Sequence, residues 1–127
     1  MQDNFIGGTS SVIVRRTALT GINGFDPFLP ALQDWDLYIQ LVKQQTRIQG
    51  INKPLNEYYK IDEEHSVSRS YKKFSTASGY LVKKYSEDPF IDYFKNAIKR
   101  ITFKRIIASS NFRREFLSTI FKKNGSF

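Results

Sequence analysis

The pattern of apolar residues changes at Tyr71, and this change constrains the fold more than any other feature of the chain. Before it, short runs with β-branched residues at 10–15 and 47–51 predict strands, and segments rich in glycine and proline separate them. After it, apolar residues recur three or four positions apart, which predicts helices beginning at Tyr71, near Phe90 and near Asn111. The sequence therefore predicts strands and helices before Tyr71 and helices alone after it.

The composition excludes several classes of protein. A chain of 127 residues, 40% of them apolar, fits one folded domain rather than a disordered segment. It contains no cysteine, which excludes a disulfide framework and a thiolate nucleophile. No apolar run approaches the roughly 20 residues that a membrane span needs, and the N-terminus lacks the basic start and apolar core of a signal peptide. We therefore expect a cytoplasmic protein.

The net charge of +8 is concentrated near the C-terminus. Residues 1–94 contain eleven Lys or Arg and eleven Asp or Glu, whereas residues 95–127 contain nine Lys or Arg and one acid, Glu115. This excess predicts an anionic partner for residues 95–127, either an anionic membrane surface or a nucleic acid. A membrane partner would make the protein peripheral at the inner face of the membrane. A solvated helical face is the third alternative.

Three short motifs precede the helical part. The first is the glycine-rich GGTS at residues 7–10, and the second is GFD at residues 24–26, inside a loop. The third is QDWDL at residues 33–37, where that loop turns into an amphipathic helix. Within GFD, we expect Phe25 to insert into the core and Asp26 to hold the loop.

In this order and at this spacing the motifs resemble the acceptor-side half of a family 2, GT-A-type glycosyltransferase. Those enzymes usually show Gly-Gly-Thr/Ser-Ser, then Gly-Gly-Phe-Asp-Glu, then Glu-Asp-Trp-Asp-Leu, and the resemblance covers residues 4–68. It implies an α/β fold, namely the C-terminal half of a Rossmann-like GT-A domain. Residues 1–70 would be the acceptor-side part of the catalytic domain, and residues 71–127 a basic helical extension.

Asp34 is the catalytic residue that the resemblance implies. In the family, the Asp of Glu-Asp is the general base that takes a proton from the acceptor hydroxyl as its oxygen attacks the anomeric carbon with inversion. That role needs a positioned, ionised carboxylate, and a helix N-terminus favours negative charge. The alternative is that Asp34 only caps the helix. Gln33 stands where the family has Glu, and the resemblance places it at the substrate together with Gly8, Thr9 and Trp35. The alternatives are that Trp35 is a core side chain and that the two glycines of GGTS only form a tight turn.

The resemblance also implies a divalent metal, Mn²⁺ or Mg²⁺, which holds the donor diphosphate in the complete enzyme. Asp34 and Asp36 match the D-x-D pattern of such a site, but that motif normally ends a strand instead of opening a helix. We expect the match to be accidental, with Asp36 facing solvent or bracing the loop. His65, the only histidine, is the candidate metal ligand. Its acidic neighbours favour the protonated ring, which opposes ligation, and a solvated loop histidine is the alternative.

The half of such an enzyme that binds the sugar nucleotide is not recognisable in the sequence. In the complete enzyme the donor would be a nucleoside diphosphate-sugar and the acceptor a glycan or a lipid-linked sugar, as in the synthesis of bacterial surface polysaccharides. Without a nucleotide-binding unit we expect this chain alone to be inactive and to bind no cofactor. An open sheet edge would favour self-association. The alternative function is a non-enzymatic basic helical module that binds membrane or nucleic acid.

Overall fold

A computed structural model describes residues 6–57 and 70–124, with side chains as far as residue 120. These ranges contain five α-helices and no strand. A 3₁₀ turn at Thr9–Ser11 precedes them, and the helices are α1 (Arg16–Thr20), α2 (Gln33–Lys43), α3 (Tyr71–Lys84), α4 (Ile91–Ala108) and α5 (Ser110–Asn124). None of these helices combines the length and the apolar character needed to cross a bilayer.

The predicted α/β fold is wrong for the part of the chain that the structure describes. The backbone at Val12 is extended, with φ −125° and ψ 134°, but neither residues 12–15 nor residues 47–51 form a ladder with another segment. β-Branched residues favour a strand only where cross-strand neighbours cover them. Ile13 has no such neighbour, and its side chain is 95% exposed. The sheet edge behind the prediction of self-association is therefore absent from the described residues.

The predicted helical part is confirmed, and its three helices pack around a shared core. The apolar face predicted for α3 is buried along its whole length, and it consists of Phe74, Ala77, Ser78, Leu81 and Tyr85. Against it pack buried residues of the other two helices, which are Ile91, Phe94 and Ala97 of α4 and Phe112 of α5. The rings of Phe74 and Phe112 meet edge to face with centroids 5.9 Å apart, a favourable geometry for aromatic pairs.

The N-terminus of α3 is capped partly from α5. Ser70 is the cap residue, and its hydroxyl accepts a hydrogen bond from the backbone N–H of Lys73 at 3.3 Å. The carboxylate of Glu115 accepts two more, from the hydroxyl of Ser70 at 3.1 Å and from the backbone N–H of Lys72 at 3.0 Å. A carboxylate in this position satisfies an orphan donor and lies at the positive end of the helix dipole.

Helix α2 packs against apolar side chains on two of its sides. On one side, Trp35 and Ile39 pack against the core of α3 and α4, which Leu29 and Ala31 of the preceding loop also join. On the other side, a second cluster forms around the buried residues Leu37, Tyr38 and Leu41, covered by Ile6, Val12, Val14, Ala18, Leu19 and Ile22. The helix that carries Asp34 is therefore held from both sides.

Candidate functional site

Asp34 lies half-buried in the first turn of α2. The N-cap position itself belongs to Leu32, whose side chain makes no capping hydrogen bond, and Asp34 follows two residues later. Leu32 has φ 62° and ψ 23°, a left-handed conformation that costs a residue with a side chain about 1–2 kcal/mol. Such strain persists only where the surroundings fix it, and it often occurs at functional sites. Asp34 still lies at the positive end of the helix dipole.

The neighbours of Asp34 are held in place by the loop and by α4. The side-chain amide of Gln33 donates a hydrogen bond to the carbonyl of Leu29 at 2.8 Å, so part of its hydrogen-bonding capacity serves the loop. The ring of Trp35 meets the ring of Phe94 edge to face, with centroids 5.5 Å apart. The side chains of Gln33 and Trp35 remain half-buried, so each also presents atoms to solvent.

The glycine-rich turn contacts the same helix one turn further on. The hydroxyl of Tyr38 donates a hydrogen bond to the carbonyl of Gly7 at 3.3 Å. Burial raises the pKa of Tyr38, and the negative charge of Asp34 raises it further. Gly8 and Thr9 follow directly and are exposed. The structure thus brings the turn with Gly8 and Thr9 to the middle of α2, although about 30 residues separate Gly7 from Tyr38 in the sequence.

Asp36 forms the centre of a buried polar network. Its side chain is 0% exposed, and it accepts hydrogen bonds from the hydroxyl of Tyr85 at 2.6 Å and from the amide of Gln40 at 2.7 Å. The ammonium group of Lys84 lies 2.9 Å from the same carboxylate. Burial and the hydrogen bond to Asp36 raise the pKa of Tyr85, so it stays protonated. Asp36 is therefore a brace between α2 and α3, and the alternative that it faces solvent is wrong.

Lys84 extends this brace to the loop before α2. Its ammonium group also lies 2.8 Å from the carboxylate of Asp26, which accepts further hydrogen bonds from the hydroxyl of Tyr80 at 2.9 Å and from the backbone N–H of Phe28 at 3.0 Å. The hydrogen bond from Lys84 lowers the pKa of Asp26. Burial opposes the charge of Lys84, but its bonds to the two carboxylates raise its pKa overall. Asp26 thus holds the loop as expected, whereas Phe25 is 54% exposed and not in the core.

The described residues do not fit a divalent metal. Lys84, Tyr85 and Gln40 occupy both carboxylate oxygens of Asp36, and within residues 6–57 and 70–124 no group of three or more His, Cys, Asp or Glu could hold an ion. That the D-x-D match at Asp34 and Asp36 is accidental stays a prediction. His65, the expected ligand, lies outside the described residues.

Arg105 is a charged residue that interacts electrostatically with Asp34 and that the motifs did not indicate. Its guanidinium lies over the ring of Phe74, 4.6 Å from the centroid. Burial lowers the pKa of Arg105, and the negative charge of Asp34 opposes that effect. The sequence carried one signal: Arg105 falls at helical spacing from Phe94 and Ile98, so a cation interrupts the apolar face of α4.

An apolar groove of about 460 Å³ runs between α2 and α4, a volume within the usual range for small-molecule sites. It begins beside Asp34 at Trp35 and ends near Lys43, which pairs with Asp88 at 2.8 Å. The two helices run in opposite directions along it, because the start of α2 meets Phe94 and its end meets the residues just before α4. Its lining consists of Trp35, Tyr38, Ile39, Val42, Lys43, Phe90, Tyr93, Phe94 and Ala97.

Comparisons with known proteins found no relative of this chain. No family model, no curated protein and no solved structure matches the chain. The resemblance to family 2 glycosyltransferases therefore depends on the three motifs of residues 4–68 and on the chemistry of their side chains.

Proposed function

We propose that this chain contributes the acceptor side of an inverting glycosyltransferase, with Asp34 as the general base. One observation supports the proposal most: the turn with Gly8 and Thr9 contacts, through Gly7 and Tyr38, the helix that presents Asp34. Two motifs that the resemblance assigns to one site are thus neighbours in space. The proposal concerns the site and its chemistry and does not include the α/β fold, which the structure contradicts.

Asp34 would act on the hydroxyl of the acceptor. Its carboxylate takes the hydroxyl proton while the acceptor oxygen forms a bond to the anomeric carbon of the donor sugar. The bond from that carbon to the diphosphate breaks at the same time, the nucleoside diphosphate leaves with the electron pair, and the configuration inverts. General-base catalysis of this kind typically contributes about 10²–10⁴-fold to the rate. The positive charge of Arg105 interacts electrostatically with Asp34.

The surroundings of Asp34 suit this role because they fix its position. A catalytic group performs well when it stands on a rigid element that other residues support. Helix α2 meets that condition, since Asp36 ties it to Lys84 and Tyr85 of the α3 segment. The open turn at Gly8 and Thr9 leaves room for a sugar to approach the backbone. Gln33 and Trp35 would contact the acceptor with the atoms that they present to solvent.

The proposal assigns the remaining parts of the enzyme to elements outside the described residues. The nucleoside diphosphate-sugar and any Mn²⁺ or Mg²⁺ would be bound by a separate nucleotide-binding part. The acceptor would be a glycan or a lipid-linked sugar, and the protein would work in the cytoplasm. This chain alone would then bind acceptor glycans weakly and sugar nucleotides not at all.

The test uses the full chain and a blocking substitution at the glycine-rich turn. A Cβ at Gly8 meets no atom within 4 Å, and the backbone there has an ordinary φ of −76°. Gly8→Leu should therefore fold normally but obstruct the approach to Asp34. Gly50→Leu is the matched control, because Gly50 is equally open and belongs to no motif.

The measurement is saturation-transfer NMR with a panel of soluble oligosaccharides and a panel of sugar nucleotides. We expect at least one oligosaccharide to receive saturation from the wild-type chain and the Gly50→Leu chain but not from the Gly8→Leu chain. Equal signals with both variants would remove the turn from the site. Signals from sugar nucleotides alone would contradict an acceptor-side role.

A further inference from the structure

We propose that the outer face of α4 docks on an anionic lipid bilayer. This α4 outer face is the set of exposed side chains that lie on one side of the helix, and it consists of Lys99, Arg100, Phe103, Lys104 and Ile107. The proposal uses no residue of the site around Asp34, so its test is independent of the glycosyltransferase proposal.

The geometry of α4 places two large apolar side chains in solvent. Phe103 is 66% exposed and Ile107 is 65% exposed, one helical turn apart. The opposite side of the same helix is committed to the core, where Phe94 and Ala97 are buried. Helix α4 therefore has two apolar faces, and residues of the described part of the chain cover only one of them. Phe103 and Ile107 together form an exposed apolar surface, and such a surface suits an apolar partner.

The charge on this face complements an anionic surface. Lys99, Arg100 and Lys104 flank Phe103 and are all exposed. Each of α4 and α5 contains a single acid: Asp92 lies in the first turn of α4, about two turns before Lys99, and Glu115 lies on α5. Glu115 is used inward to cap α3, and Asp92 pairs with Lys95 at 3.1 Å in the first turn of α4.

The combination of charge and apolar exposure favours lipid over nucleic acid. A nucleic acid is held by cations on its phosphates and by rings stacked on its bases, and an aliphatic side chain such as Ile107 contributes to neither. A helix lying in a membrane interface uses both kinds of residue, because its basic side chains meet the headgroups and its apolar ones enter the acyl boundary. Phe103 and Ile107 between cations fit the second arrangement.

The experiment measures co-sedimentation of the full chain with vesicles. One set is pure phosphatidylcholine, and the other contains one quarter phosphatidylglycerol. We expect strong binding to the second set and little to the first, and we expect added salt to weaken it. Replacing the three cations (Lys99→Gln, Arg100→Gln and Lys104→Gln) should lower the partition coefficient on the order of 10²-fold, from roughly fivefold for each cation.

A second variant separates lipid from nucleic acid. Phe103→Ser with Ile107→Ser leaves every charge in place, and it should lower vesicle binding by about tenfold or more, since the apolar contact is lost. The wild-type chain should bind an oligonucleotide weakly, with an affinity no higher than its affinity for the vesicles. Both substituted side chains are exposed, so the fold should not change.

Matched controls lie elsewhere on the chain. A triple Lys→Gln variant on α3 removes equal charge from an exposed surface, and Phe28→Ser removes an exposed aromatic ring; the three lysines are Lys72, Lys73 and Lys83. We expect either control to bind vesicles within about threefold of wild type, less than the effect of one cation at the contact. Equal losses for the α3 and α4 triple variants, or unchanged vesicle binding by the double serine variant, would overturn the proposal. Tighter binding to the oligonucleotide than to vesicles would also overturn it.

Discussion

Different contacts stabilise the two regions of the molecule, residues 6–57 and residues 70–124. In 70–124 three long helices satisfy their own backbone groups and bury a consistent stripe of apolar side chains. In 6–57 only α2 is longer than two turns, and its side chains Trp35 and Ile39 pack against the core of α3 and α4. Residues 6–57 therefore depend on contacts with residues 70–124, which act as a scaffold.

The two regions meet where the candidate site is braced. Lys84 at the end of α3 binds Asp26 of the loop and Asp36 of α2. Because the chemistry proposed for Asp34 requires a fixed α2, the helical region contributes to function by holding the other region in place. Four substitutions test this division between chemistry in 6–57 and stability in 70–124.

The largest expected effect is on catalysis and not on stability. Asp34→Asn should lower turnover of the assembled enzyme by roughly 10²–10⁴-fold, since the amide cannot accept the acceptor proton. Donor affinity should be unchanged. The melting temperature should change little, because Asp34 is not the cap of α2. Steady-state kinetics and a thermal melt measure the two effects separately.

The matched control for this substitution is Asp92→Asn. Asp92 also lies in the first turn of a helix, α4, and is exposed. Turnover should stay near the wild-type value in that variant. Near-normal turnover in Asp34→Asn as well would remove Asp34 from the mechanism and leave 6–57 without its proposed role.

The next largest effect concerns the brace between the regions. Asp36→Ala should lower the free energy of unfolding by about 3–5 kcal/mol, because it leaves the ammonium group of Lys84 and the hydroxyl of Tyr85 without their carboxylate. Urea denaturation measures the total loss. Hydrogen exchange should show that protection falls first in α2 and last in α3–α5.

Asp88→Ala is the control for the brace. It removes the pair with Lys43, whose ammonium-bearing side chain is half exposed, and such pairs contribute about 0–1 kcal/mol. If Asp36→Ala and Asp88→Ala cost the same, the buried network does not join the regions. If hydrogen exchange accelerates equally in all helices after Asp36→Ala, the two regions unfold as one unit and the division fails.

The sequence predicted the second region better than the first for a physical reason. The face of α3 is visible in the sequence because a helix repeats locally, so Phe74 and Leu81 could be placed without knowing their partners. A strand cannot be placed in that way, because its stability comes from a neighbour distant in sequence. The run around Ile13 had the composition of a strand, but no segment of the described residues forms a ladder with it.

The site was harder to predict for the same reason, because several of its contacts join residues that are far apart in the sequence. The start of α2 at Gln33 and the holding role of Asp26 were visible as local patterns. That Asp36 is buried could not be predicted, because its partners Lys84 and Tyr85 lie almost 50 residues away. Lys84 is one of two adjacent lysines near the end of a helix, a position in which lysine is usually solvated.

A smaller effect should separate the cap of α3 from the general stability of the helical region. Glu115→Ala should cost about 0.5–2 kcal/mol, the usual range for the loss of a cap, since the backbone N–H of Lys72 then loses its acceptor. Hydrogen exchange should increase in the first turn of α3 and not at its centre. Glu87→Ala, at an exposed acid after α3, is the control and should be neutral. Uniform exchange along α3 would show that Glu115 acts through packing and not through the cap.

The smallest effect is the pH dependence that Asp26 gives to the link between the regions. Because the pKa of Asp26 in the folded protein lies below its ordinary value of 3.8, its contribution is fully present above that pH. It is lost as the pH falls through the lowered folded value. The pKa of Lys84 is raised, so its contribution to stability is present below pH 10.5 and is lost only as the pH rises through the raised folded value.

Asp26→Asn should therefore destabilise the protein by about 1 kcal/mol or less at neutral pH, and the difference from wild type should shrink below pH 3.8. Urea midpoints of the two proteins, measured from neutral to acid pH, should converge at the acid end. Curves that stay parallel would mean that Asp26 holds its loop by shape and hydrogen bonding alone, and that its charge adds nothing to the contact between the two regions.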